Sequence, residues 1–210
     1  MEGINLIHGD SLQALKGYDD NHFDIAIVDP PYGIGASEMT MGSGKNKKYK
    51  KGKKWDNETP NKEYFTELQR VSKNQIIWGG NYFTDKLEPT RCYIFWDKGI
   101  NGDCDFADGE LAWCSFDRVL RKAPIRYRGF LGADNVRIHP TQKPVQLYKW
   151  LLENYTNEND LILDTHLGSG SIAIACHYMK RKLIGYEIDK EYYDAACKRF
   201  KEQTMQQVLW

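Results

Sequence analysis

The sequence predicts an α/β chain built on a mainly parallel sheet with helices on both faces. Two observations carry this. Short apolar runs alternate with segments of helical periodicity along the chain, and the last third reads strand, glycine-rich turn, helix, strand, helix from Leu161 onward. A chain of 210 residues is also long enough to bury a full core without disulfides or a structural metal. We find no internal repeat and no linker, so one domain over residues 1–210 is expected.

The elements follow in order. Ile4 to His8 is a short strand and Ser11 to Lys16 a short helix. Asp24 to Asp29 is a buried strand carrying Ile25, Ile27 and Val28. From Pro30 to Pro60, Gly, Ser, Lys and Asn dominate and periodicity is lost, which predicts a long loop of the kind that carries function. Asn61 to Ser72 puts Tyr64, Phe65, Leu68 and Val71 on one helical face. Strands are expected at Gln75 to Trp78, Cys92 to Trp96, Leu111 to Phe116 and around Ile125 to Tyr127, then a helix from Val145 to Tyr155.

Charge balances at 29 basic and 29 acidic residues, so no global field points to nucleic acid or membrane. The distribution is uneven, because "KNKKYKKGKK" from Lys45 to Lys54 holds seven lysines and no acid. Such a run is a solvated loop or a phosphate contact. The five cysteines form no C-x-x-C pair, which argues against a zinc site or disulfide framework and for a reducing compartment. "MEGINLIHGD" has neither a basic nor an apolar leader region, and no apolar run reaches spanning length, so a cytoplasmic location is expected.

Two stretches carry chemistry. "FDIAIVDPPYGIGAS" takes an apolar strand into Asp29, Pro30, Pro31 and Tyr32. Each proline lacks an N–H and fixes its own φ, so neither ladder nor helix continues, and Asp29 and Tyr32 are held at the mouth of the strand. A structural turn would have the same signature. In "DLILDTHLGSGSIAIACHYMKRKLIGYEID" a strand ends on Asp164, a turn holds Gly168 and Gly170, and the next strand delivers Glu187 at the spacing of a ribose-binding acid. A carboxylate ahead of the glycines would repel a pyrophosphate and attract an amino group and a sulfonium. That favours S-adenosylmethionine over a dinucleotide.

"DPPY" at 29–32, "HPTQKP" at 139–144 and "LDTHLGSGS" at 163–171, in that order, resemble the beta-class amino-methyltransferases of DNA, over nearly the whole chain. The resemblance implies a Rossmann-like methyltransferase fold with a seven-stranded sheet and a circularly permuted motif order, the cofactor half following the catalytic half. It implies that Asp164, Gly168, Ser169, Gly170 and Ser171 line the cofactor, that Glu187 holds the ribose, that Asp10 and Ser11 lie near the adenine, and that His139, Thr141 and Lys143 border the methionine moiety. Asp29, also counted beside the cofactor, belongs with Pro30, Pro31 and Tyr32 to the catalytic motif. "WGGNYF" at 78–83 resembles a further segment of that family and would place Asn81 at the base pocket. The family commonly has Pro-Phe where this chain has Thr165 and His166, which leaves the packing beside the cofactor open.

The resemblance gives the chemistry. An exocyclic amino nitrogen is a poor nucleophile because its lone pair is delocalised into the ring. The Asp29 carboxylate and Pro30 carbonyl can accept its N–H groups as it pyramidalises toward the methyl. Tyr32 can stack on a flipped base. DNA is the expected partner, contacted by Lys45, Lys47, Lys48, Lys50 and Lys51 and read by a small recognition region within about 98–138. Its small size suggests a homodimer. No metal is expected. Asp at position 29 leans toward adenine N6 within a restriction-modification context. Cytosine N4, RNA adenine, and a silent DNA-binding subunit are the alternatives.

Overall fold

The computed structural model describes residues 3–35, 56–99, 107–126 and 138–205. Among these, eight strands form one sheet: β1 (Ile4–His8), β2 (Phe23–Val28), β3 (Ser72–Trp78), β4 (Tyr93–Asp97), β5 (Gly109–Cys114), β6 (Arg121–Ala123), β7 (Leu161–Asp164) and β8 (Lys182–Glu187). Their order is β1-β8-β7-β2-β3-β5-β4-β6. The strands from β1 to β3 in that order pair in parallel, and β5 is antiparallel to both its neighbours. The eighth strand, one more than the resemblance implied, is the three-residue β6 on the edge, parallel to β4. It lies ahead of the expected Ile125 to Tyr127 because Pro124 has no N–H to continue the ladder.

Five helices cover the faces: α1 (Ser11–Leu15), α2 (Lys62–Val71), α3 (Val145–Tyr155), α4 (Ser171–Tyr178) and α5 (Lys190–Met205). Alternation along β2 decides which side each residue serves. Ile25 and Ile27 join the core under α3 and α4, while Ala26 and Val28 join the core under α1 and α2. Burial on both faces explains why β2 and β7 are apolar without alternation.

Local chemistry sets the helix starts. The Asn61 side chain accepts the Tyr64 N–H at 3.0 Å and caps α2, whose buried residues are the expected Tyr64, Phe65, Leu68 and Val71. Ser72 then takes extended dihedrals, so α2 passes straight into β3. β3 therefore begins three residues before the expected Gln75. Trp78, Trp96 and Trp113 are core residues, as are Cys92, Cys114 and Cys176.

β3 ends on Gly79, whose φ of 71° lies in the left-handed region, and a 3-10 turn at Gly80–Tyr82 follows. A Cβ on Gly79 would overlap the Tyr32 ring. The glycine thus lets β3 end flush against the D-P-P-Y turn. Gly79→Ala should lower unfolding free energy by about 2 kcal/mol or more and displace Tyr32. Urea denaturation and tyrosine fluorescence would check it, and unchanged stability would remove the packing argument.

Candidate functional site

The sheet changes direction of growth between β2 and β7. From β2 the chain crosses by α2 to β3 on one side; from β7 it crosses by α4 to β8 on the other. The two strands pair in parallel, Ile25 with Ile162 and Ala26 with Leu163, so their carboxyl ends open side by side. A crevice at such a switch point is where open α/β sheets bind ligands. Asp29 follows β2 there, and Asp164 ends β7.

Asp29 is gripped from two directions. Its Oδ1 accepts the Tyr32 hydroxyl at 2.6 Å, and its Oδ2 meets Lys143 Nζ at 2.5 Å. Lys143 is nearly sealed from solvent, with its side chain 2% exposed, and it also lies 3.0 Å from Glu110 Oε2. Lys98 closes the chain from outside, 2.7 Å from Glu110 Oε1. Burial pushes the Asp29 carboxyl above its usual range, and Lys143 opposes that shift. Burial would lower the Lys143 ammonium, yet Asp29 and Glu110 outweigh it and hold it above its ordinary value. Desolvation would raise the half-buried Glu110 as well, but Lys143 and Lys98 bring it down to about 2.

The turn itself is braced by Asp56, which is buried and accepts the backbone N–H groups of Tyr32 at 2.7 Å and Gly33 at 3.0 Å. The Tyr32 ring stacks on Tyr82 at 4.9 Å and 13° between planes. Tyr82 is half exposed on the 3-10 turn. An aromatic face is therefore already placed beside the acid.

The glycine turn after β7 builds the other half. Gly168 and Gly170 have φ of 50° and 70°, backbone that a Cβ would strain. Glu187 Oε2 accepts the Gly168 N–H at 2.8 Å, and its Oε1 accepts that of Asp189 at 2.9 Å, so the ribose candidate is fixed by the turn it serves. Arg199 from α5 donates to the Ser169 carbonyl at 2.8 Å and the Ser171 hydroxyl at 2.9 Å, holding the turn from beneath. Asp164 accepts the His166 N–H at 3.0 Å, and burial raises its carboxyl to about 8.

A cavity of about 220 Å³ opens between these halves. Of the expected residues it is lined by Asp29, Pro31, His139, Thr141, Lys143, Gly168, Ser169 and Glu187. His139 packs edge-on against Tyr192 at 4.4 Å and bonds Thr141 Oγ1 through Nδ1 at 3.1 Å. The others sit back from the lining. Pro30 is buried, Tyr32 faces Asp29 and Tyr82, and Asp164 lies under the turn. Gly170 caps α4, and Ser171 is its first residue. Asp10 accepts the Leu12 N–H at 2.9 Å as the cap of α1, so its carboxylate has a structural task, with Ser11 beginning that helix. Asn81 is exposed beside Tyr82. Lys45, Lys47, Lys48, Lys50 and Lys51 lie outside the described residues, as do Trp55 and Cys104.

The substituted pair Thr165 and His166 is packed by hydrogen bonds. Tyr64 and Thr165 hydroxyls meet at 2.6 Å, Thr165 meets His166 Nδ1 at 2.9 Å, and the His166 ring stands edge-on to Tyr64. Burial lowers His166 to about 4, so it is neutral. Glu110, Asp56 and Arg199 escaped the sequence reading because they belong to no motif there. Lys143 lines the cavity, and its ammonium lies between Asp29 and Glu110.

Comparison with known proteins gives the family. The N6/N4 DNA methylase family profile matches residues 95–198. The type II methyltransferase M.BglII of Bacillus subtilis is 39% identical over 251 residues, covering 91% of this chain and 67% of its own. The M1.HpyAVI complex with S-adenosylmethionine superposes with TM-score 0.61 at 20% identity, covering 96% of this chain and 99% of the other. The cytosine-N4-specific PvuII DNA methyltransferase does so with TM-score 0.64 at 14% identity, covering 100% and 89%. Fold, motif order and sequence agree, and the chain belongs to the S-adenosylmethionine-dependent DNA amino-methyltransferases of the N6/N4 family.

Proposed function

We propose that this chain, as a single catalytic domain, methylates the N6 amino group of adenine at a specific DNA sequence after base flipping, in a restriction-modification setting. The observation that carries the reading is the Asp29 carboxylate. Its Oδ2 is anchored on Lys143 while its Oδ1 holds a hydroxyl that a target N–H can replace. Asp rather than Ser at position 29 supports adenine over cytosine.

The cavity suits the cofactor on its own chemistry. Asp29, Glu187 and Asp189 line it, the buried Asp164 sits below, and together these acids favour a ligand carrying an amino group and a sulfonium. Glu187 would hold the ribose, and Gly168 and Ser169 would let the backbone approach the ligand. S-adenosylmethionine supplies an electrophilic methyl when bound.

The chain's own residues do the rest. Asp29 Oδ1 and the Pro30 carbonyl accept the two N–H groups of the target amine and localise its lone pair toward the incoming methyl. Pro30 contributes an acceptor without a competing donor. Tyr32, backed by Tyr82, offers a face to the base, worth roughly 1–3 kcal/mol of stacking against the cost of extrusion. The basic loop at about 33–60 and the region within about 98–138 are the proposed DNA contacts and target reader, with the lysine run on phosphates.

The direct test is methyl transfer from labelled S-adenosylmethionine to unmethylated duplex DNA, with nucleoside analysis. Label is expected on N6 of adenine and should fall at least about 100-fold in Asp29→Ala. Label on N4 of cytosine would correct the base; label on RNA alone would reject DNA as substrate. Cofactor-free protein that binds DNA without transferring label, and that binds no S-adenosylmethionine, would establish the silent-subunit reading.

Asp164 gives a pH signature. Its folded pKa of about 8 exceeds the ordinary 3.8, so between those values the folded state holds the extra proton, and stability falls as pH rises through that window. In Asp164→Asn the melting temperature should depend less on pH between 5 and 8, and S-adenosylmethionine should bind more weakly. Calorimetric melting scans and equilibrium dialysis read both effects, and an unchanged slope would show that Asp164 is ionised in the empty protein.

A further inference from the structure

We infer that Glu110, from β5 and outside every motif, is a positioning residue for the proposed reaction: it shares the Lys143 ammonium with Asp29 and so sets how strongly Asp29 accepts the target amine. The inference rests on the methyl-transfer reading of the site.

The geometry is a row of alternating charge. Asp29 Oδ2 lies 2.5 Å from Lys143 Nζ, Lys143 Nζ lies 3.0 Å from Glu110 Oε2, and Glu110 Oε1 lies 2.7 Å from Lys98 Nζ. Only the inner end touches the reacting atoms. Each partner has a reason to be there. Desolvation favours the protonated form of Asp29, which would lose acceptor lone pairs, and Lys143 opposes that shift. A buried ammonium with Asp29 as its sole counter-ion would overcorrect. It would weaken that carboxylate as an acceptor and set an unbalanced positive charge beside a nitrogen that becomes positive as the methyl arrives.

Glu110 answers the second problem. It attracts the same Lys143 ammonium through its own oxygen, and because it is held ionised at about 2 it does so at every working pH. Lys98 then neutralises Glu110 through its other oxygen, with the two side chains similarly half-buried. The row is neutral overall, and its bias is graded toward Asp29. Two facts locate the row physically: Lys143 Nζ also lies 5.2 Å from the Trp78 ring centre and 5.8 Å from that of Tyr32, so its position is boxed in by aromatic walls as well as by charge.

Glu110 and Lys98, the two outer members of the row, should move Asp29 in opposite directions. In Glu110→Gln, Lys143 acts on Asp29 unopposed, so the Asp29 titration midpoint should fall by about one unit. In Lys98→Met, Glu110 draws harder on Lys143, and the midpoint should rise. The other groups facing Asp29 are Tyr32, Asp164 and the Tyr64 and Tyr148 phenols, and both variants leave them in place.

The experiment follows the Asp29 carboxyl carbon by 13C NMR against pH in the full chain, assigned with Asp29→Asn, alongside steady-state methyl transfer. For Glu110→Gln we expect the lower midpoint, kcat down about tenfold, and a KM for S-adenosylmethionine within about twofold of the parent. Opposite displacements in the two variants, with melting temperatures near the parent value, would support the row as a unit. A midpoint that stays put in both variants, or an unchanged kcat in Glu110→Gln, would overturn the inference. A parent protein that transfers no methyl would instead sink the functional reading, while the carbon titration would still decide the coupling between Glu110 and Asp29.

Discussion

The parallel pairing of β2 with β7 is the constraint on which the site depends. It brings two segments more than a hundred residues apart to a common edge, one ending in the D-P-P-Y turn and the other in the glycine turn. Neither segment has a site by itself. A slip of one residue in this register would exchange Ile25 and Ile27 with Ala26 and Val28 between the two cores. The hydrophobic cores on the two faces therefore hold the D-P-P-Y turn and the glycine turn in alignment.

Charge is arranged on the same principle. Asp29, Asp164, Glu187 and Glu110 gather in a small volume, and self-repulsion would disperse them without compensation. Lys143 and Lys98 neutralise two, backbone N–H groups satisfy Glu187, and Asp164 keeps a proton because it is buried with a single N–H donor. The site is thus selective for cations by composition and is partly discharged when empty. Buried ion pairs of this kind add little to stability, and their retention fits a functional demand.

Much of this was legible in the chain. The strands that lead to Asp29, Asp164 and Glu187 were readable because a short, largely apolar run comes to an acid at each. α2 and α3 were readable from periodicity, and the bounds of α3 fall where expected, at Val145–Tyr155. What escaped has a physical reason in each case. Glu110 sits in a strand of ordinary composition, and its importance lies in contact with a lysine 33 positions away. Asp10 reads equally as a ligand or a helix cap, since the same oxygen geometry serves both. Thr165 and His166 look like a break in an apolar pattern until Tyr64, from a different helix, supplies the hydroxyl that satisfies them.

The brace on the D-P-P-Y turn bears on what sets the geometry of that turn. Gly35 donates its N–H to the Asp56 carbonyl at 3.0 Å, while the Asp56 side chain holds Tyr32 and Gly33. The two ends of the intervening stretch, residues 36–55, are therefore stitched together at one point, directly behind the catalytic turn. The entropy of closing a flexible loop rises only as the logarithm of its length, about 0.6 kcal/mol for each doubling. By that scaling, the length of chain joining Gly35 to Asp56 adds little to the cost of closing it, and the places of Asp29 and Tyr32 are set by the contacts on either side. Asp56 thus separates the geometry of the turn from the length of what connects its two ends.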